Sequence, residues 1–212
     1  MIRVFIADDH PIVRQGLRQI LAATNDITVA GEATTGRELL DTLPNEPDPP
    51  DVVLLDLTMP GIDGMDVLKL LRRDSPQVPV LVLTMHSEDQ FAVRALKAGA
   101  SGYLTKDSAP AELVGAIRRI VAGGRYISTW VAEKLAAHLG PDSEKPAHER
   151  LSDREYQVLR LIAAGKSTRE IATELSLSTK TVGTYRSRIL EKMRMHTAAE
   201  LTAYAVRNRL AD

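Results

Sequence analysis

The chain contains no cysteine, which excludes disulfide scaffolds, thiol nucleophiles and cysteine-ligated zinc or iron–sulfur centres. Aromatic residues are scarce at 4%, with a single Trp, so its cores must be mainly aliphatic. Long apolar runs are missing too. Val52 to Leu55 and Val78 to Leu83 are among the longest, far short of the ~20 residues of a membrane-spanning helix. The opening Met1-Ile2-Arg3-Val4-Phe5-Ile6-Ala7-Asp8-Asp9 meets acid almost at once and offers no small-residue cleavage site, so we expect no secretory signal, no membrane and a cytoplasmic protein. Five scattered His residues show no metal-ligand spacing.

What is present suffices for a folded protein. Apolar residues make up 44% and charged residues 26% of 212, a length that suits one large domain or two small ones. The net charge of −1 hides an asymmetry. Residues 1–150 hold 21 acidic and 16 basic side chains, whereas residues 151–212 hold 7 and 11. An acidic first part joined to a compact basic end suggests two modules, the second with an anionic partner such as nucleic acid.

The first part alternates short apolar runs with helical periodicity. Strands are predicted at Ile2–Ala7, Thr28–Glu32, Val52–Leu55, Val78–Thr84 and Ser101–Thr105, β-branched and almost unalternated, as in strands covered on both faces. Helices are predicted near 11–23, 35–43, 63–74, 88–98 and 109–122. Strict alternation implies a doubly wound α/β domain over residues 1–123 with a parallel five-stranded sheet and right-handed crossovers. Pro44 to Pro50, with four prolines, reads as a loop. Residues 124–147 read as a linker with a possible helix near 128–139 and a proline-rich, charged end at 140–146. From 148 to 212 the pattern is all-α, with four helices at 152–164, 168–174, 178–194 and 197–209. Gly165 stops the first of these and Ser178 caps the third.

Open α/β sheets place their ligands at the carboxyl ends of the strands. Here those ends carry Asp8-Asp9, Asp56, Thr84 and, past strand five, Lys106. Three crowded carboxylates repel one another unless a cation intervenes, and an all-oxygen cluster suits Mg2+, which also accepts a phosphate oxygen. A lysine and a metal that neutralise a phosphoryl group while a carboxylate attacks it make a phosphoryl-transfer site. Asp56 stands alone and is the nucleophile candidate. Asp8 and Asp9 form a pair suited to the metal. His10 reads as a residue at a helix N-terminus near the acids rather than as a phosphohistidine.

These residues carry a resemblance. Asp8-Asp9, Asp56 within Asp56-Leu57-Thr58-Met59-Pro60-Gly61-Ile62-Asp63-Gly64, Thr84, Tyr103 and Lys106 resemble the receiver domain of two-component response regulators. The resemblance implies a flavodoxin-like fold of strand order 2-1-3-4-5, the order the receiver fold itself exemplifies. It further implies phosphorylation of Asp56 by a partner histidine kinase. Mg2+ would be held by Asp9 and Asp56 directly, by Asp8 mainly through water, and by the Thr58 backbone carbonyl. Lys106 would pair with the phosphoryl group, and Thr84 and Tyr103 would form the switch pair.

On the third C-terminal helix, Val182, Tyr185, Ile189 and Met193 fall on one side of a helical wheel and are the expected buried stripe. Lys180, Thr184, Ser187, Arg188 and Glu191 face the other way, with Gly183 on one flank, a surface that fits a major groove. The short helix before it, with Ala172 allowing close approach, makes a helix-turn-helix. The stretch from Leu151 to Leu201 resembles a LuxR-type domain, through Leu151-Ser152-Asp153-Arg154-Glu155, Val158-Leu159, Gly165, Glu170-Ile171-Ala172, Leu175, Ser178, Thr181-Val182, Arg186, Ile189, Lys192 and Met193. With the receiver, this is the pattern of the NarL/FixJ class. The resemblance implies that Gly183, Thr184 and Ser187 face bases of double-stranded DNA, that Lys180, Thr181, Arg188 and Lys192 hold phosphates, and that Leu201, Tyr204, Ala205 and Val206 make a dimer contact. Gly183 stands where a longer polar side chain is frequent, and Tyr185 where histidine is. Arg186 lies near the buried edge and is not assigned to bases.

The reading is a DNA-binding transcription regulator, a homodimer on activation, switched by phosphorylation of Asp56, and not an enzyme beyond its own phosphorylation and dephosphorylation. Alternatives are a regulator of the same fold that works without phosphorylation, a structural adaptor, and a magnesium-dependent phosphohydrolase. The last typically needs an acid two residues after its nucleophile, and Asp56-Leu57-Thr58 has none.

Overall fold

A computed structural model describes residues 1–84, 89–127, 146–175, 177–208 and 210. The chain divides into two compact units, Met1–Leu139 and Gly140–Asp212. The helix expected near 128–139 and the linker at 140–145 lie outside the described residues.

The first unit is a five-stranded parallel sheet of order β2-β1-β3-β4-β5. Its strands are β1 (Ile2–Ala7), β2 (Ile27–Ala33), β3 (Val52–Asp56), β4 (Val80–Thr84) and β5 (Gly102–Thr105). Between and after them run α1 (Pro11–Ala22), α2 (Gly36–Thr42), α3 (Gly64–Asp74), α4 (Asp89–Lys97) and α5 (Ala109–Val121). This is the doubly wound, flavodoxin-like fold expected. Val52 to Leu55 and Val80 to Leu83 are at most 1% exposed, which explains their unalternated apolar sequence: helices cover both faces. One face packs Val4, Ile6, Leu54, Leu81 and Leu83 against Leu113, Ile117 and other residues of α1 and α5.

Two local readings need correction. Pro44 does not belong to a plain loop: Leu43–Asn45 form a turn of 3-10 helix, which tolerates proline in its first positions because those amides need no partner there. Beyond α5 the chain also returns to the sheet. Tyr126 bridges Gly102, its carbonyl accepting the Tyr103 N–H at 3.0 Å and its N–H bonding the Ser101 carbonyl at 3.1 Å. This backbone covers the outer edge of β5, which would otherwise be open to unwanted pairing.

The second unit is all helical among its described residues: α6 (Asp153–Ala163), α7 (Thr168–Glu174), α8 (Thr179–Met193) and α9 (Ala198–Arg207). Each begins on a hydroxyl cap, respectively Ser152, Ser167, Ser178 and Thr197, which satisfies amides that have no helical partner. The first two are full capping boxes with Glu155 and Glu170. Gly165 has a φ of +78°, the left-handed stop its position predicts. Among the described residues no helix is long and apolar enough to cross a membrane.

Gly64 ties the fold to the strand ends. A Cβ there would lie 2.4 Å from the Leu57 Cα and 2.6 Å from its carbonyl oxygen, so α3 presses on the segment just after Asp56. Gly64→Ala should therefore destabilise the protein by about 1–3 kcal/mol, read as a lower urea midpoint. An unchanged midpoint would show that this segment can move aside freely.

Candidate phosphoacceptor pocket and nucleic-acid interface

Parallel strands bring their carboxyl ends to one edge. Ala7 pairs with Leu55, Asp56 with Leu83, and Thr84 with Thr105, so Asp8, Asp56, Thr84 and Lys106 share that edge. The Lys106 ammonium lies 2.7 Å from both Asp8 Oδ2 and Asp56 Oδ2, and all three side chains are at most 5% exposed. Asp56 Oδ1 accepts the Thr58 N–H at 3.1 Å. Asp8 Oδ1 accepts the His10 N–H at 2.8 Å. Thr84 is fully buried at the end of β4 and Tyr103 is 8% exposed, so the Tyr103 ring sits inward rather than on the surface.

The charges do not balance. Burial pushes the Asp56 carboxyl above the usual carboxylate range against the pull of Lys106 and the Thr58 amide, and Asp8 adds to the rise. Burial disfavours the charged Lys106 ammonium, but Asp56 and Asp8 outweigh it and raise its pKa. The causes differ: Asp56 rises mainly because it is buried, while Lys106 rises because two buried carboxylates share its one ammonium. Asp8 Oδ2 faces the Lys106 ammonium and Asp9 Oδ1 faces His10 Nδ1 at 2.8 Å, but neither oxygen has a well-formed hydrogen bond. Three crowded carboxylates with so few donors fit a divalent cation.

The pocket brings in one residue that spacing missed. Donor atoms of Asp8, Asp9, His10 and Asp56 lie within 4.8 Å of one another. His10 is adjacent to the acids in sequence, so no periodic ligand signature could announce it.

In the second unit, Val182, Ile189 and Met193 are at most 5% exposed and form the inner side of α8. Tyr185 is only half-buried, at the edge of that stripe. Lys180, Thr184, Ser187 and Arg188 are exposed on the opposite side, and Thr181 and Gly183 are half-buried. Arg186, set aside as lying near the buried edge, is exposed as well. The hydroxyls of Thr184 and Ser187 donate to the carbonyls of Lys180 and Gly183.

Some of the expected contact residues already have partners within their own unit. Lys192, expected on a phosphate, has its ammonium on Glu155 Oε2 at 2.6 Å. Glu155 is 2% exposed, and a buried carboxylate keeps its cation because losing it would strand a charge. Leu201 and Ala205, expected at a dimer contact, are fully buried within their own unit, and Tyr204 hydrogen-bonds His148 Nδ1 at 2.8 Å. Val206, also expected there, is exposed, and with Ala199 and Ala203 it lies on the exposed face of α9, one helical turn apart. The apolar pattern of α9 marked its inner face, and sequence could not tell an inner face from an interface.

With this geometry in view, comparison with known proteins is decisive. Residues 4–118 match the response regulator receiver domain, and residues 149–205 match the bacterial regulatory proteins of the luxR family. The chain belongs to the two-component response regulators. It is 38% identical to the response regulator UvrY of Escherichia coli K12, over all of this chain and 97% of that protein. It is 42% identical to the response regulator GacA of Pseudomonas protegens, over all of this chain and 99% of that one. Among solved structures, RcsB of Salmonella enterica serovar Typhimurium, bound to promoter rprA with a phosphomimetic, matches at a TM-score of 0.64 and 30% identity, covering 96% of this chain and 97% of that one. This response regulator is thus a LuxR-family transcription regulator of the NarL/FixJ class, with a receiver and a helix-turn-helix DNA-binding domain.

The Glu155 pair has a defined pH signature. Burial works to raise this carboxyl, but Lys192 and the two Ser152 hydrogen bonds prevail and hold it below the ordinary 4.5. A depressed folded-state pKa stabilises above the unfolded value and is lost as pH falls through the folded one. Glu155→Gln should cost about 1.5–3 kcal/mol at neutral pH, measured by thermal unfolding, with the gap to wild type closing between about pH 5 and pH 3. A gap undiminished at low pH would assign Glu155 to packing alone.

Proposed function

We propose that Asp56 accepts a phosphoryl group from a partner histidine kinase in the cytoplasm, and that this switches the helix-turn-helix domain onto paired DNA half-sites as a homodimer. The observation that carries the reading is the buried ammonium of Lys106 between two under-compensated carboxylates, beside Thr84 and Tyr103.

An Asp56 carboxylate oxygen attacks phosphorus as the bond from phosphorus to the kinase imidazole breaks, and the imidazole leaves with the bonding electrons. Lys106 Nζ is positioned to neutralise a phosphoryl oxygen once the group arrives. Asp9 and Asp56, with Asp8 and the Thr58 carbonyl, would hold Mg2+, which supplies charge neutralisation on the transferring oxygens. The phosphoryl group adds roughly −1.5 to −2 charge and three acceptor oxygens. The Thr84 hydroxyl is the donor at hand on β4, and Tyr103 on β5 follows it as the second member of the switch.

On the DNA side, Lys180 and Arg188 sit on phosphates with Thr181, while Thr184, Ser187 and Gly183 approach bases. Gly183 has no side chain with which to read one. Lys192 is anchored by Glu155 and is still 42% exposed, so it holds a phosphate from that position. The dimer contact on α9 falls to Ala199, Ala203 and Val206, small enough for two helices to approach closely.

Incubation with a small phosphodonor should label the wild type with an acid-labile acyl phosphate and leave Asp56→Asn unlabelled; equal labelling of both would move the acceptor elsewhere. Lys180→Ala should weaken binding to every duplex and reduce the salt slope by about 1. A loss confined to one base position would instead make Lys180 a sequence reader.

A further inference from the structure

The cation pocket has a nitrogen donor that its oxygen count overlooks. His10 is the N-cap of α1, yet its side chain makes no capping hydrogen bond. Its backbone N–H is held by Asp8 Oδ1 at 2.8 Å, and Pro11 at the first helical position restricts the direction in which the helix departs. With the backbone fixed in this way, the imidazole turns back over the acids. His10 Nδ1 lies 2.8 Å from Asp9 Oδ1 and 3.3 Å from Asp8 Oδ1. One donor atom from each of Asp8, Asp9, His10 and Asp56 lies within 4.8 Å of the others, a span that one ion can bridge. Asp9 Oδ1 and Asp8 Oδ2 are buried without a well-formed hydrogen bond; their close neighbours are the His10 imidazole and the Lys106 ammonium, so a cation here would meet the imidazole and the carboxylates together. The Asp8 side chain is 2% exposed, whereas that of His10 is 55% exposed: the acids form the floor of the pocket and the imidazole stands at its mouth.

The donor type matters. Mg2+ takes oxygen ligands and keeps several waters. An imidazole nitrogen suits the first-row transition ions, whose affinities rise from Mn2+ through Co2+ and Ni2+ to Cu2+. We propose that His10 is a ligand of this pocket for transition divalent cations, joining Asp8, Asp9 and Asp56 in a site of one nitrogen and three carboxylates, and that it sets the preference for such ions over Mg2+. This inference rests on the divalent-cation reading of the pocket.

The test is calorimetric titration of the full-length protein with Co2+ alone and with Mg2+ alone, together with the visible absorption of bound Co2+. Three proteins are compared: wild type, His10→Ala and Asp9→Asn. Because His10 is largely exposed and caps nothing with its side chain, His10→Ala should fold normally; His10→Gln serves as a second variant that keeps a polar side chain. Both His10 variants should bind Co2+ about tenfold more weakly or worse, since losing even an outer-shell partner costs ~10-fold. They should bind Mg2+ as the wild type does, and the Co2+ spectrum should shift with loss of the nitrogen donor. Asp9→Asn should weaken both cations and so identify the site. Wild-type Co2+ affinity in the His10 variants, or an equal loss of Mg2+, would overturn the role of His10 while leaving the oxygen site standing. If the wild type bound neither cation, the divalent-cation reading itself would fall, and this inference with it.

Discussion

The receiver unit depends on one buried ammonium. Lys106 lies equidistant from Asp8 and Asp56, and without it the edge of the sheet would hold acids with nothing to offset them. Buried charge of one sign is costly and unstable; one lysine among several acids leaves the site incompletely neutralised. Burial raises the Asp56 pKa, and the charge deficit beside it makes the site receptive to a cation, and with the cation to a phosphoryl group. A pocket fully neutralised by protein side chains would have little reason to bind either.

That imbalance needs a stiff frame, because charges a few ångströms apart relax if the backbone can move. The frame is the set of strand ends in parallel register, buried on both faces. Gly64 adds close contact between α3 and the segment following Asp56. On the far edge, the backbone of Tyr126 closes β5 next to Tyr103, so the strand bearing the expected switch aromatic is paired on both sides.

The second unit uses a buried charge in the opposite way. Glu155 is fully compensated by the Ser152 cap and the Lys192 ammonium, and this joins the start of α6 to the end of α8. The exposed face of α8 is thereby left to Lys180, Thr184, Arg186, Ser187 and Arg188. One unit keeps a carboxylate waiting for a ligand; the other ties its carboxylate up to hold a helix in place.

Much of this was legible in the chain itself. Unalternated apolar runs announce doubly covered strands, because a residue buried on either face must be apolar, and strand ends followed by Asp8, Asp56, Thr84 and Lys106 announce the pocket. Serine caps and Gly165 mark the helix ends because they act within a single turn. What depended on side-chain pairing between helices was not legible. Lys192 and Glu155 are 37 residues apart, and no local pattern distinguishes a lysine held by a buried acid from one left for phosphate. Leu201 and Ala205 are apolar on a helix face whether that face meets its own core or another subunit. His10 shows no ligand spacing because its place over the acids comes from the turn into α1. Sequence determined the elements, their order and the chemistry at the strand ends, since these follow from short-range periodicity and capping. The tertiary structure alone decided which charges were already spent, because compensation is set by distance in space.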